Sequence, residues 1–202
     1  DRKEAGRTPI TSKLVSDLLQ AAGVGRVVTM DLHAGQIQGF FNMPVDNLYA
    51  TPVLLGAVRQ KGIKNGLVIS PDVGGVVRAR SYAKRLDLEL AIIDKRRPAA
   101  NVAEIHHIIG DVSGKNCIIV DDMVDTAGTL VKAADALIEH GASSVIAVAS
   151  HGVLSGPAVK RIQDSSSLER LVITDTIRLS KPGEECPKIE RHSVSSLLGE
   201  AI

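Results

Sequence analysis

The residues best suited to chemistry lie near the middle of the chain. An apolar run typical of a buried strand, Cys117–Val120, leads into two carboxylates, Asp121 and Asp122. A short stretch rich in Thr and Gly follows, and a helical pattern begins near Gly128. Small residues let backbone N–H groups approach an anion, and a helix N-terminus favours a phosphate. Since the carboxylates could accept hydrogen bonds from vicinal sugar hydroxyls, the segment indicates a site for a phosphorylated sugar.

Two further groups of polar residues follow predicted strands. Asp31 and His33 are two residues apart, so an extended chain would place them on one face, where they could hold a divalent cation or a phosphate. Asp72 precedes Gly74 and Gly75, which open a helix. Backbone amides at such a turn suit a diphosphate, and the carboxylate suits its magnesium ion.

A basic loop is the fourth candidate. Lys95-Arg96-Arg97 follows a strand, and its cations could close over phosphoryl oxygens and neutralise charge in a transition state. Each of the four signals also has a simpler explanation when taken alone. The acid pair could be solvated beside a helix N-capped by Asp125 or Thr126, and the others could be a structural histidine, a Gly-rich turn and a solvated basic turn.

Short β-branched runs alternate with helical patterns along the chain. Strands are predicted at 26–30, 66–70, 88–93, 116–120, 144–148 and 170–174, with a crossing strand near 44–49. Helices are predicted from Thr8-Pro9, as N-cap and first position, to Gly23, and near 51–61, 74–86 and 128–140. This order predicts an α/β fold, a mostly parallel twisted sheet with helices on both faces. In such sheets ligands bind beyond the carboxyl ends of the strands, where all four groups are predicted to lie.

Composition excludes several functional classes. The net charge is +1, which gives no global field for a nucleic acid or a membrane surface, and no apolar run is long enough to span a bilayer. Two Phe, two Tyr and no Trp leave little for stacking RNA bases. No cleavable signal is visible, so we expect a cytoplasmic protein that binds neither nucleic acid nor membranes.

Several segments resemble one enzyme family. The run from Asp121 to Thr129 resembles the PRPP-binding motif shared by phosphoribosyltransferases and PRPP synthetases (ribose-phosphate diphosphokinases). The run from Asp31 to Phe41 is similar to a segment of the synthetases, and almost the whole chain shares their pattern. The segment 151–158 belongs to that pattern without an assigned role.

The resemblance implies a role for each candidate residue. Lys95 and Arg97 correspond to the catalytic pair of a flexible loop. Ribose 5-phosphate would be bound by Asp121 and Asp122 at the hydroxyls and by Asp125, Thr126, Ala127, Gly128 and Thr129 at the phosphate. ATP and its diphosphate would be bound by His33, Asp72, Gly74 and Gly75, with His33 and Asp72 also serving a Mg²⁺ ion.

The implied reaction transfers the diphosphoryl group of ATP to ribose 5-phosphate, giving PRPP and AMP for nucleotide biosynthesis. The resemblance also implies a type I phosphoribosyltransferase-like fold and a homo-oligomer, a hexamer of dimers. Residues 1–45 would be the tail of an incomplete N-terminal domain, and residues 46–202 a C-terminal domain with the ribose 5-phosphate motif. We expect such a truncated chain to be weakly active or inactive.

Three alternatives remain. A phosphoribosyltransferase would share residues 117–129 but would not need the Asp31, Asp72 and Lys95 groups together. A phosphoreceiver signalling domain also has an acid pair after a buried strand, but near the start of its fold, whereas this pair follows four predicted strands. A catalytically silent paralogue of the synthetases is the third, and the presence of Lys95, Arg97, His33 and Asp72 argues against it.

Overall fold

The computed structural model describes residues 1, 3, 6–96 and 105–202, with the backbone alone for residues 95, 96, 105 and 106. It forms two compact units, residues 1–50 with 195–202 and residues 51–194. In chain order, the elements are α1 (Thr11–Ala21), β1 (Val27–Met30), a 3-10 helix (Gly35–Phe40), β2 (Val45–Leu48), α2 (Thr51–Gln60), β3 (Gly66–Ser70), α3 (Val76–Leu86), β4 (Glu89–Arg96), β5 (Ile105–Ile109), β6 (Asn116–Val124), α4 (Gly128–Glu139), β7 (Ser144–Gly152), α5 (Ala158–Asp164), β8 (Arg170–Thr174), α6 (Lys181–Glu185), β9 (Ile189–His192) and α7 (Ser195–Ala201).

The smaller unit contains a parallel pair of strands, β1 and β2, and the crossing strand predicted near residues 44–49 is β2. Its first helix begins later than predicted. Ile10 is the N-cap, with an extended backbone, and its carbonyl accepts the first helical hydrogen bonds. The prediction of Thr8 as N-cap was therefore wrong, because the chain is still extended at Ile10, after Pro9. The predicted domain boundary between residues 45 and 46 stays a prediction.

The larger unit is built on a seven-stranded sheet of order β5-β4-β3-β6-β7-β8-β9. Its strands are parallel except β5, which runs antiparallel to β4 at one edge. Every residue of β3 is buried, as are Cys117–Val120 in β6, which is the pattern of strands covered on both faces. The predicted mostly parallel α/β fold is confirmed.

The strand order reverses direction between β3 and β6. From β3 the chain crosses through α3 to β4 on one side, whereas from β6 it crosses through α4 to β7 on the other. Because such crossovers are right-handed, α3 and α4 cover opposite faces of the sheet. On the α4 face, Leu137 packs in one apolar cluster with Ile119 and Leu171. The loops that follow β3 and β6 therefore border the crevice at the point of reversal, where open α/β sheets bind ligands.

Among the described residues, no helix has the length and apolar character needed to cross a membrane.

Candidate functional site

The acid pair lies on a paired strand that extends beyond its neighbour. Strand β3 pairs with β6 only as far as Ile119, whereas β7 continues alongside Asp121 and on to Val124. The prediction that the strand ends before the carboxylates was therefore wrong. The hydrogen bonds to β7 carry the strand through both Asp residues. The carboxylates consequently stand above the end of β3 on a backbone held by a neighbouring strand.

The two carboxylates differ in their surroundings. Asp122 is buried, and its Oδ1 lies 3.1 Å from Nη1 of Arg78. Asp121 is partly exposed, its Oδ1 accepts the N–H of Asp122 at 2.9 Å, and it lies 3.7 Å from the same Arg78 nitrogen. Burial and a side-chain hydrogen bond with Asp122 raise the pKa of Asp121 to about 7, although Arg78 opposes the shift. The pair thus carries a proton that is exchanged near neutral pH.

Arg78 was missed by the sequence analysis. It is the third residue of α3, in the first helical turn after the Gly74-Gly75 turn. A cation in that position opposes the helix dipole, which is the one signal in the sequence that an anionic partner lies nearby. Its guanidinium joins the helix after β3 to the acid pair on β6, and so connects the two sides of the crevice.

The phosphate loop between β6 and α4 has an unusual backbone. Ala127 is the N-cap of α4 and adopts a left-handed conformation, with φ 57° and ψ 3°. Because Ala127 occupies the N-cap position, and no side chain caps the helix there, the alternative in which Asp125 or Thr126 serves as the N-cap was wrong. Asp125, Thr126 and Thr129 are exposed, so their side chains and the amides of the first turn of α4 are available to an anion.

The turn after β3 is held by its own aspartate. Oδ1 of Asp72 accepts the N–H of Gly75 at 2.8 Å, and Oγ of Ser70 donates to the carbonyl of Asp72 at 2.7 Å. A Cβ at Gly74 would lie 3.3 Å from Oδ1 of Asp72, and one at Gly75 would lie 3.0 Å from Oγ of Ser70. The glycines therefore permit a tight turn, in which Asp72 is exposed at the start of α3.

The Asp31 and His33 group belongs to the smaller unit. Asp31 has φ 43°, so the chain is not extended there, and the predicted alternation of faces was wrong. Its carboxylate is buried and accepts the N–H of Ala50 at 2.9 Å, which gives it a structural role. His33 is exposed. Lys95 and Arg96 lie within β4, with Lys95 opposite His106 of β5, so the prediction that these two residues form a loop after the strand was wrong. Arg97 lies outside the described residues.

A second missed arginine, Arg161 of α5, donates from Nη1 to the carbonyl of Thr126 at 3.0 Å. It reaches the phosphate loop from 35 residues away in sequence, so no local pattern could have indicated it. Within the described part of the chain, no group of three or more His, Cys, Asp or Glu side chains has the arrangement of a metal site.

Residues 53–180 match the phosphoribosyl transferase domain family, which covers more than half of the chain. The chain belongs to this family. The chain is also similar in sequence to proteins named ribose-phosphate pyrophosphokinase. It is 59% identical over 201 residues to the ribose-phosphate pyrophosphokinase of Bordetella parapertussis, covering 100% of this chain and 64% of the relative. For the protein of the same name from Neisseria meningitidis serogroup A, the identity is 57%, covering 100% of this chain and 61% of the relative.

The chain is also similar in structure to solved proteins. The phosphoribosylpyrophosphate synthetase from Mycobacterium smegmatis superposes with a TM-score of 0.91 at 39% identity, covering 100% of this chain and 65% of that chain. An orotate phosphoribosyltransferase from Aeropyrum pernix, 18% identical with a TM-score of 0.50, covers 75% of this chain and 73% of that chain, and shares the fold alone. The predicted resemblance to the synthetases is confirmed, and the chain spans less than two thirds of the length of the relatives named here.

Proposed function

We propose that the whole protein is a ribose-phosphate diphosphokinase, which transfers the β,γ-diphosphoryl group of ATP to the anomeric hydroxyl of ribose 5-phosphate. One observation carries the proposal: the acid pair lies between the turn that follows β3 and the turn that precedes α4, at the reversal point of the sheet. A ribose that bears a phosphate at one end and receives a diphosphate at the other needs that arrangement. The synthetase relatives, at 57–59% identity, support this assignment.

The proposed roles follow from the positions of the groups. Asp121 and Asp122 accept hydrogen bonds from the ribose hydroxyls, which places the anomeric carbon near the crevice. The turn at Asp125–Thr129 holds the 5-phosphate through backbone amides and hydroxyl groups. The turn from Asp72 to Gly75 holds the diphosphate. Because little covalent chemistry is required of the protein in phosphoryl transfer, positioning and charge neutralisation supply most of the rate enhancement.

In the reaction, the anomeric oxygen forms a bond to the β-phosphorus of ATP. The bond between that phosphorus and the oxygen bridging to the α-phosphate breaks, and AMP leaves with the bonding electrons. The hydroxyl proton is lost to solvent. Lys95 and Arg97 are proposed to neutralise the charge that develops on the phosphoryl oxygens, as cationic groups do in such transition states.

A Mg²⁺ ion, when bound, would neutralise part of the charge of the phosphates. The chemistry of the residues fits this ion, because Asp72 is an exposed carboxylate with one oxygen, Oδ1, already oriented by the N–H of Gly75. Mg²⁺ is usually held by one or two carboxylates together with substrate phosphates and water, so a cluster of three protein ligands is not required. Asp72 is the residue of the larger unit proposed to serve it. A cytoplasmic location and a homo-oligomer, a hexamer of dimers, complete the proposal.

The test is formation of AMP and PRPP from ATP, Mg²⁺ and ribose 5-phosphate by the full-length protein. Lys95→Ala should abolish most of the activity, whereas Lys84→Ala, at an exposed lysine in the last turn of α3, should leave it unchanged. A folded full-length protein that binds PRPP but forms no AMP would contradict the proposal. That result would favour a phosphoribosyltransferase or a silent paralogue instead.

A further inference from the structure

Three consecutive carbonyl groups of the phosphate loop are anchored by one segment. The carbonyl of Val124 accepts the N–H of Leu154, and the carbonyl of Asp125 accepts the N–H of Ser155, each at 3.0 Å. The third carbonyl, that of Thr126, accepts Nη1 of Arg161 at 3.0 Å. We name residues 154–161 the bracing segment. It overlaps the segment 151–158, for which the sequence indicated no role.

The anchoring of these carbonyls fixes the direction in which the N–H groups of the same peptide units point. In a trans peptide unit, the C=O and N–H groups point in opposite directions, and the described residues contain no cis peptide bond. With the carbonyls of residues 124–126 turned toward the bracing segment, the N–H groups of Asp125, Thr126 and Ala127 point the other way. The segment therefore aims three successive donors at one side of the loop, where they form a cradle suited to an anion.

Arg161 is the side chain through which this bracing acts. A Cβ at Gly128 would lie 3.1 Å from Nη1 of Arg161, so the guanidinium packs directly against the first residue of α4. A hydrogen bond from a cation to the carbonyl of Thr126 polarises that peptide unit, which makes the N–H of Ala127 a stronger donor. The same bond holds the peptide that precedes Ala127, whose left-handed conformation is unfavourable for a residue with a Cβ.

We propose that Arg161 is a positioning residue for phosphate binding, which aims and polarises the N–H of Ala127 toward the 5-phosphate of a phosphorylated ribose. The inference rests on the proposed assignment of this loop to the 5-phosphate. Arg161 acts from the far side of the loop, through the backbone. It contributes its charge and the fixed geometry of its guanidinium, rather than a direct contact with the ligand.

The test measures the binding of ribose 5-phosphate to the wild-type chain and to variants by calorimetry. Arg161→Met should weaken binding by about fivefold to tenfold, which is less than a buried hydrogen bond to a charged group contributes, because Arg161 is exposed. Arg161→Lys should recover part of the affinity, because it restores the charge but not the fork geometry. The matched control is Lys160→Met on the same helix, since Nζ of Lys160 pairs with Asp164 at 2.6 Å. It should bind as the wild type does.

A second substitution separates polarisation from simple support of the loop. Glycine adopts the left-handed conformation without strain, so Ala127→Gly in the Arg161→Met background removes any need for Arg161 to hold that turn. We expect the double variant to bind as weakly as Arg161→Met. Recovery of wild-type affinity, or an Arg161→Met variant within twofold of wild type, would overturn the proposal.

The outcomes also distinguish this inference from the proposed function. A wild-type protein that binds ribose 5-phosphate but forms no AMP contradicts the proposed reaction and leaves the role of Arg161 to be decided by its variants. A folded wild-type chain that does not bind ribose 5-phosphate overturns the assignment of the loop and the role of Arg161 together. Circular dichroism of each variant shows whether it is folded.

Discussion

Affinity for ribose 5-phosphate should fall as the solution is acidified through neutral pH, because the ionised form of Asp121 accepts hydrogen bonds from the sugar hydroxyls more strongly than the protonated form does. Burial and a hydrogen bond with Asp122 raise the pKa of Asp121 to about 7. With that pKa, the carboxylate form falls from about nine tenths of the molecules at about pH 8 to about one tenth at about pH 6. The dissociation constant should therefore rise roughly tenfold over this interval.

Calorimetric titrations between about pH 5.5 and 8.5 would measure this effect on wild-type protein and on Asp121→Asn. The phosphate group of the ligand itself titrates near about pH 6, so the wild-type curve alone is ambiguous. Asparagine has no proton to exchange, so its curve contains the titration of the ligand but not that of Asp121. The ratio of the two dissociation constants should change with pH around 7. Parallel curves over the whole interval would refute the assignment of the sugar hydroxyls to the ionised form of Asp121.

The same pKa predicts an effect on stability in the absence of ligand. The pKa of Asp121 is raised from its ordinary value of 3.8, so the folded state binds the proton more tightly than the unfolded state does. Its contribution to the free energy of unfolding is complete below pH 3.8 and declines as the pH rises toward about 7. Asp121→Asn should therefore raise the melting temperature relative to wild type at about pH 8 more than at about pH 5. An equal shift at both values would contradict the raised pKa.

Three further predictions concern the stability of the larger unit. A methyl group at Gly152 would lie 2.5 Å from Cδ1 of Ile173, so Gly152→Ala should lower the free energy of unfolding by about 1–3 kcal/mol. Ile173→Val deletes that carbon and should recover part of the loss in a urea-unfolding cycle, whereas simple additivity would argue against the clash. Arg78→Gln removes the cation beside buried Asp122 and should lower the free energy of unfolding by roughly 1–3 kcal/mol, a modest loss because Arg78 is partly exposed. An unchanged midpoint of urea unfolding would contradict this. Burial opposes ionisation of Glu190, but hydrogen bonds from a lysine and a histidine outweigh this effect and lower its pKa. Its contribution to the free energy of unfolding should therefore be complete above pH 4.5 and be lost as the pH falls below that value. Melting curves of the wild type should show this loss, and those of Glu190→Gln should not.

The central elements of the fold could be predicted from the sequence, because their patterns are strong. The apolar stripe of α4, which includes Leu130 and Leu137, predicted a helix at 128–140, and the structure has it at Gly128–Glu139. The buried runs at β3 and β8 were predicted at the observed residues. In each case, local residue preferences and tertiary packing favour the same conformation.

The elements that escaped prediction owe their conformation to tertiary contacts. Strand β6 continues through Asp121 and Asp122, although Asp is disfavoured in strands, because β7 pairs with it there. The edge strands β5 and β9 are short, and neither shows a regular alternation of apolar and polar residues. Pairing with a neighbouring strand, rather than local sequence, decides their conformation.

Some residues of the candidate site could be predicted from the sequence and others could not. Glycines, acids and hydroxyl residues next to strand ends were visible in the sequence, since their spacing along the chain determines the turns. Their partners were not. Arg78 lies 44 residues from Asp122, and Arg161 lies 35 residues from Thr126. A contact of that separation depends on the packing of helices against the sheet, which no local pattern contains.

The pairing of β3 with β6 has a consequence for how the site assembles during folding. Gly66 is paired with Asn116, so strands that touch in space are 116 − 66 = 50 residues apart in sequence. Closing such a loop costs chain entropy before the contact repays it, and such non-local pairing is intrinsically slow to form. The crevice therefore exists only after the two halves of the sheet have joined. A ligand bound across it should slow amide hydrogen exchange in strands on both sides together, rather than in one loop, because it stabilises the pairing on which the joined sheet depends.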